Sequence, residues 1–198
     1  MQPEVEVKLP DEKVISIGTV MALTAVSWSR PSIKLNLSGH TISTENVIVL
    51  FQSLSPSVIS INLKGTDFAA GGRNLDSVRS LCAAMQEKTF SVHTLDLSNN
   101  RLGPQGCSLL ASGLSVCASL TVADLRYNEL DTEVATMLLE IAKEKKISLC
   151  GIKPGQTEAD FTPVNNNGNR MKPADAILLT ADLAVITSLT EVCQIRKM

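Results

Sequence analysis

Aromatic side chains are scarce, 3% of 198 residues, while 44% of the chain is hydrophobic. Leu, Ile, Val and Ala must therefore fill the interior. The length suits one medium domain or one repeat array with a sizeable core. Uniform aliphatic side chains fit a repeating architecture, in which each layer reuses the same slots. Charge of one sign is missing too: 18 basic and 20 acidic residues leave a net charge of −2. The one charge run, Lys143-Glu144-Lys145-Lys146, is short and mixed, so nothing provides an electrostatic footprint for nucleic acid. The opening Met1-Gln2-Pro3-Glu4-Val5-Glu6 is acidic where a secretory signal would be basic. The longest apolar stretch, from Val14 to Val26, is broken by Ser16, Gly18, Thr19 and Thr24 and is no membrane span. The five cysteines (Cys82, Cys107, Cys117, Cys150, Cys193) are odd in number and form no CxxC pair. With only two histidines, His40 and His93, a zinc site is not expected. The composition reads as a reduced, cytoplasmic protein that uses Cys as a small apolar filler. No phosphate-binding loop is present, because Gly71-Gly72 lacks the Walker frame. No cofactor is called for.

What the chain does have is a repeat. Val92-His93-Thr94-Leu95-Asp96-Leu97-Ser98-Asn99-Asn100-Arg101-Leu102 fits the pattern L-x-x-L-x-L-x-x-N-x-L, with Val in the first slot. Leu120 to Leu130 fits again, with Ala123 in one Leu slot, and Leu97 and Leu125 are 28 residues apart. Weaker copies place Val58, Ile61, Leu63 and Phe68 in the slots with Thr66 at the Asn position, and Leu35, Leu37 and Ile42 with His40 there. Val7, Leu9 and Val14 make an earlier copy. Ala159 and Phe161 make a later one. These are six repeats, and a seventh starts at Leu189-Thr190-Glu191-Val192 before the pattern is lost at Gln194.

Helical stripes at i, i+3, i+4, i+7 separate the copies. They run through Val47, Leu50, Phe51 and Leu54, then Val78, Leu81, Cys82 and Met85, and then Cys107, Leu110 and Leu114. The next two are Val134, Met137, Leu138 and Ile141, and Ala174, Ile177, Leu178, Ala181 and Val185. Pro104 and Pro173 suit first helical turns, and Asp131 or Thr132 suits a cap. Strands stack about 4.8 Å apart while packed helices need about 8–10 Å. Stacked strand–helix units therefore bend, with parallel strands inside and helices outside. The Asn slot, Asn100 and Asn128, is placed to hydrogen-bond the turn leaving the strand.

The long period and the run LDLSNNRLGPQGCSLLASGLSVCASL resemble the ribonuclease-inhibitor-like class of leucine-rich repeat, which also supplies the sensing regions of NOD-like receptors. The resemblance covers roughly residues 5 to 192. The segments LCGIKPGQTEADF and MKPADAILLTADLAVITSLTEV also resemble uncharacterised repeat proteins of unicellular eukaryotes, a similarity that carries no activity. The implied fold is α/β, one curved solenoid over 1–198 with a parallel concave sheet and convex helices. The implied role is non-catalytic protein binding. Resemblance to the repeats of the Ran GTPase-activating protein adds an alternative, a GTPase activator with Arg73 or Arg170 in a rim loop touching a nucleotide phosphate.

The pattern is interrupted twice. Surplus residues 69–74 follow Phe68, and Ile147-Ser148-Leu149-Cys150-Gly151-Ile152 reads as an irregular or doubled strand without its own helix. A second polar insertion, 162–170, follows Phe161. Both insertions lie between a strand and its helix, hence on one rim, where surface loops accept growth cheaply. The ends lack obvious polar caps. They are therefore read as improvised caps, joints in a longer array, or edges open to self-association.

Side chains flanking the paired leucines line the concave face. The middle column reads Lys8, Asn36, Asn62, Asp96, Asp124, Asp160. The column before it includes Thr94 and Glu158, and the column after it Lys64 and Arg126, with Tyr127 beside Arg126 as a candidate anchor. The C-terminal half is thus expected to be acidic and the N-terminal half basic, a polarity suited to a protein with a basic patch. The competing reading of Asp or Asn between the leucines is that it only keeps the sheet soluble.

Overall fold

The computed structural model describes residues 5–8, 14–15, 18, 32–160, 171–186 and 191–193. Its strands are β1 (Val5–Lys8), β2 (Val14–Ile15), β3 (Ile33–Asn36), β4 (Thr41–Ile42), β5 (Val58–Asn62), β6 (Thr94–Asp96), β7 (Val122–Asp124), β8 (Glu158–Asp160) and β9 (Glu191–Cys193). The described helices are α1 (Thr44–Gln52), α2 (Asp76–Gln86), α3 (Gly103–Val116), α4 (Thr132–Lys145) and α5 (Pro173–Val185).

Strands β1, β3, β5, β6 and β7 form one sheet in chain order, every pair parallel. The register aligns the repeat slots: Val7 faces Leu35, Leu35 faces Ile61, Ile61 faces Leu95 and Leu95 faces Ala123. Parallel strands need a crossover, and from β3 to β7 the helices α1, α2 and α3 supply it. Consecutive helices from α1 to α5 pack on one another. The inward slots Leu35, Leu37, Ile61, Leu63, Leu95, Leu97, Ala123 and Leu125 are buried, as are Ile42, Phe68, Leu102 and Leu130 one turn later. Strands β2 and β4 hold the latter position in the first copies. There Ile15, not Val14, faces Ile42, a slip of one residue from the expected alignment.

Most residues of the helical stripes are buried, Leu54, Ile141 and Ile177 are half-buried, the Val185 side chain lies outside the described residues, and one position is a correction. Val134 and Leu138 are buried in α4, but Met137 is 39% exposed. Ala135 and Ala142 occupy the packed face instead, which lets α4 lie close to its neighbours. Asp131 caps α4 through a hydrogen bond from Val134 N at 2.8 Å. Pro104 and Pro173 stand in the first turns of α3 and α5, where no N–H is needed.

Asn100 and Asn128, both fully buried, form a ladder across the turns. Asn100 Nδ2 donates to the carbonyls of Leu63 and Leu97 at 2.8 and 2.9 Å, and its Oδ1 accepts from Asp67 N at 2.8 Å. Asn128 repeats this one layer on, donating to Leu97 O at 2.8 Å and accepting from Asn100 N at 3.0 Å. Each asparagine thus ties its own turn to the preceding one. Thr66 reaches only Leu63 O (2.9 Å) and Asn100 Oδ1 (3.2 Å), and His40 Nδ1 only carbonyls of its own turn, so the weaker copies are less cross-linked. The turn imposes the same left-handed backbone on successive copies: Asn99 and Tyr127 have φ 60° and 61°, Arg101 and Glu129 φ 53° and 61°.

The surplus after Phe68 is a packed turn. Phe68 and Ala69 are buried, Asp67 Oδ1 accepts from Gly71 N at 2.8 Å, and Arg101 pairs with Asp67 Oδ2 at 2.7 Å. Gly72 has φ +75°, and a Cβ there would lie 2.8 Å from the Leu102 carbonyl, so only glycine fits.

The C-terminal part departs from the expected sequence of layers. The segment around Ile147–Ile152 sits beside β7, with Val122 opposite Ser148 and Asp124 opposite Cys150. Strand β8 does not extend this sheet; it pairs with β9, Ala159 facing Val192. Among the described residues, no helix is long and apolar enough to cross a membrane.

Candidate functional site

The open face of the five-stranded sheet carries a depression of about 460 Å³. It is lined among others by Asn36, Ser60, Asn62, Thr94, Asp96 and Arg126. The register places Asn36 beside Asn62, Asn62 beside Asp96, and Asp96 beside Asp124, so the middle column is continuous from β3 to β7. Thr94 lies between Ser60 and Val122 in the adjoining column.

Each member of the middle column first serves its own turn. Asn36 Oδ1 accepts from Ser38 N at 3.2 Å, Asn62 Oδ1 from Lys64 N at 3.0 Å, Asp96 Oδ1 from Ser98 N at 2.9 Å and Asp124 Oδ1 from Arg126 N at 3.1 Å. The chain must turn away from the strand two residues after this position. A short Asn or Asp side chain captures the N–H that the turn releases. Four successive copies solve that problem identically, which explains the residue type without any partner.

Asp124 goes further. Arg126 grips it with Nε at 2.9 Å and Nη2 at 2.6 Å, and both side chains are largely buried. Burial opposes the Arg126 charge, but the hydrogen bonds and charge of Asp124 outweigh it and raise the guanidinium pKa. Gly151, φ +76°, is pressed against the pair: a Cβ there would sit 2.9 Å from Asp124 Oδ2. Asp124 is therefore 6% exposed and ion-paired to Arg126, not an outward carboxylate. Asp96 stays half-buried, its pKa raised by burial and by the Asp124 charge against the Ser98 hydrogen bonds and the Lys64 charge.

Glu158 and Asp160 do not join this column. In β8 they face Glu191 and Cys193 of β9, because the 147–152 segment occupies the edge of β7. The acidic C-terminal half expected from the repeat count is thereby reduced to Asp96 and a paired Asp124. Lys64 is exposed, and Lys153 joins the lining of the depression, so the face gains a cation instead. Tyr127 is half-buried, and its backbone N donates to Asp175 Oδ1 at 3.0 Å. Arg73 is exposed, with its Nε donating to the Ala70 carbonyl at 2.9 Å. Residues 162–170, and with them Arg170, lie outside the described residues. His93 is exposed on the sheet and His40 sits in the turn after β3, in different copies. Among the described residues, no three His, Cys, Asp or Glu side chains are grouped to hold a metal ion.

Two residues that organise this end escaped the sequence reading. Asp182 of α5, fully buried, accepts from Ser148 Oγ and Leu149 N at 2.6 Å and from Cys150 N at 2.9 Å. Burial raises its pKa in spite of these donors. Asp175 spans the start of α5, its Oδ2 taking Lys172 N at 2.8 Å and its Oδ1 the Tyr127 amide. The signal was there: Asp182 directly follows Ala181 in an otherwise apolar stripe.

Comparison with known proteins agrees with the geometry. The Leucine Rich repeat family model matches residues 90–111, the turn, strand and helix of the clearest copy. The human "NACHT, LRR and PYD domains-containing protein 13" is 34% identical over 58% of this chain and 11% of its own length. The bovine "NACHT, LRR and PYD domains-containing protein 9" is 28% identical over 48% of this chain and 10% of its own. The mouse "NACHT, LRR and PYD domains-containing protein 1a" is 37% identical over 40% of this chain and 7% of its own. The similarity thus spans about a tenth of the length of these relatives. Strands, turn asparagines and helices that recur in register, together with the family match, identify the repeat as a leucine-rich repeat, and the chain is similar to part of these NACHT, LRR and PYD domains-containing proteins.

Proposed function

We propose that the chain is a non-catalytic, cytoplasmic protein-binding module, one curved ribonuclease-inhibitor-like solenoid over 1–198 that holds a partner on its concave face. The observation that carries this is the open sheet face. Five parallel strands carry a wide, largely polar depression that no helix among the described residues covers, while the slots from Leu35 to Leu125 are buried on the other side. Asn36, Asn62, Lys64, Thr94 and Asp96 are the proposed contacts, with Arg126 and Tyr127 at the strand exit and Asp124 acting through Arg126. The mismatch between strand and helix spacing supports the curvature.

The test is steric. Ser60→Arg/Thr94→Arg fills the middle of the face, and Val116→Arg/Met137→Arg alters the exposed helix side. Both variants and the native chain are checked for equal melting and used as baits in a cytosolic extract. A partner lost with the first variant and kept with the second supports the reading. One that survives Ser60→Arg/Thr94→Arg places recognition elsewhere.

A further inference from the structure

The acidic half that the repeat count leads one to expect does not materialise, and this changes the partner that the face fits. The two aspartates are largely spent. Asp124 is chelated by Arg126, and Asp96 Oδ1 takes both the Ser98 amide and, at 2.7 Å, the Ser98 hydroxyl. Two lysines, by contrast, stand open. Lys64 is exposed at the exit of β5, and Lys153 is exposed where the chain leaves the added segment. Among the described residues neither ammonium group makes an ion pair. The floor between them offers donors. Asn62 spends its Oδ1 on Lys64 N, which leaves its amide NH2 for the face, beside the Ser60 and Thr94 hydroxyls.

Resting on the concave-face reading above, the geometry points to an acidic, extended peptide segment of a partner protein as the occupant, its carboxylates meeting Lys64 and Lys153 across the strands. Three strand spacings separate β5 from the segment beside β7, about 14 Å. An extended chain covers about 3.4 Å per residue, so the matching acidic side chains are about four residues apart. Asp96, which the Ser98 hydrogen bonds and the nearby Lys64 charge only partly offset, works against such a ligand.

The test uses fluorescein-labelled dodecapeptides of Gly and Ser bearing two glutamates at i and i+4, two glutamates at i and i+1, or two lysines at i and i+4. Anisotropy is followed at low salt against the full chain. The i, i+4 glutamate peptide is expected to bind best and to weaken as salt is added. Lys64→Glu/Lys153→Glu, both at exposed positions, should weaken it about tenfold, and Asp96→Asn should tighten it about threefold. Arg79→Glu on the helix side should change nothing. Binding indifferent to the lysine reversal overturns the proposal, as does binding of no peptide. If the lysine peptide binds instead and is lost with Asp96→Asn, the acidic ligand is wrong while the concave-face reading stands. That reading fails separately, through the Ser60→Arg/Thr94→Arg baits.

Discussion

Replacing Asn100 with Ala isolates the turn ladder from the apolar core. Its Oδ1 is the partner of the Asp67 amide, and its Nδ2 bridges the carbonyls of Leu63 and Leu97. Leu63 O keeps Thr66 and Leu97 O keeps Asn128 as donors, so the Asp67 N–H bears most of the loss. Stranding one buried amide costs about 1–3 kcal/mol, and each lost hydrogen bond about 1 kcal/mol. The total is about 3 kcal/mol, roughly a hundredfold in the folding equilibrium and about 6–12 °C in Tm for a chain of this size. The assay is urea denaturation followed by circular dichroism, comparing midpoints with slopes unchanged. Thr136→Ala, which removes an exposed hydroxyl bound to Thr132 O at 2.7 Å, serves as control and should stay within about 0.5 kcal/mol. A loss below about 1 kcal/mol for Asn100→Ala would refute the ladder as a source of stability, because the asparagine would then be only a solvated turn residue.

Asp182→Ala strands the Leu149 and Cys150 amides and should cost about 3 kcal/mol. Hydrogen exchange should show faster exchange at 148–152 than in β6; equal protection in native and variant chains would count against the anchor. Asp96 has a native pKa raised by burial and by Asp124. Its contribution is therefore full below the unfolded value, about pH 4, and is lost as pH rises through the native value. Urea midpoints measured from pH 4 to 7 should accordingly be flatter for Asp96→Asn than for the native chain, and superimposable profiles would contradict this. The Cys107 thiol, pushed up to about 12 by burial with the Asp175 and Asp131 charges adding, is about one part in ten thousand thiolate at pH 8. Ellman's reagent should modify it only on unfolding; fast native labelling, mapped to Cys107 by mass spectrometry, would show that the core opens.

The sequence by itself determined the repeat and most of its consequences. Leu95, Leu97 and Leu102 could be assigned to the interior because the two-residue strand period and the turn leave them no other side. Asn100 and Asn128 announced their role because a buried amide must satisfy both ends. The column from Asn36 to Asp124 followed from parallel register alone. Tertiary structure decided which segment sits at the edge of β7. Local pattern favoured Ala159 in the next layer, but the 147–152 segment pairs there because Asp182, 32 or more residues later, accepts its amides. That choice moves Glu158 and Asp160 off the face, brings Lys153 onto it and presses Gly151 against the Asp124–Arg126 pair. Periodicity is local and could be read along the chain. Which strand edge is covered depends on long-range hydrogen bonds to a buried carboxylate, and these exist only once α5 has docked.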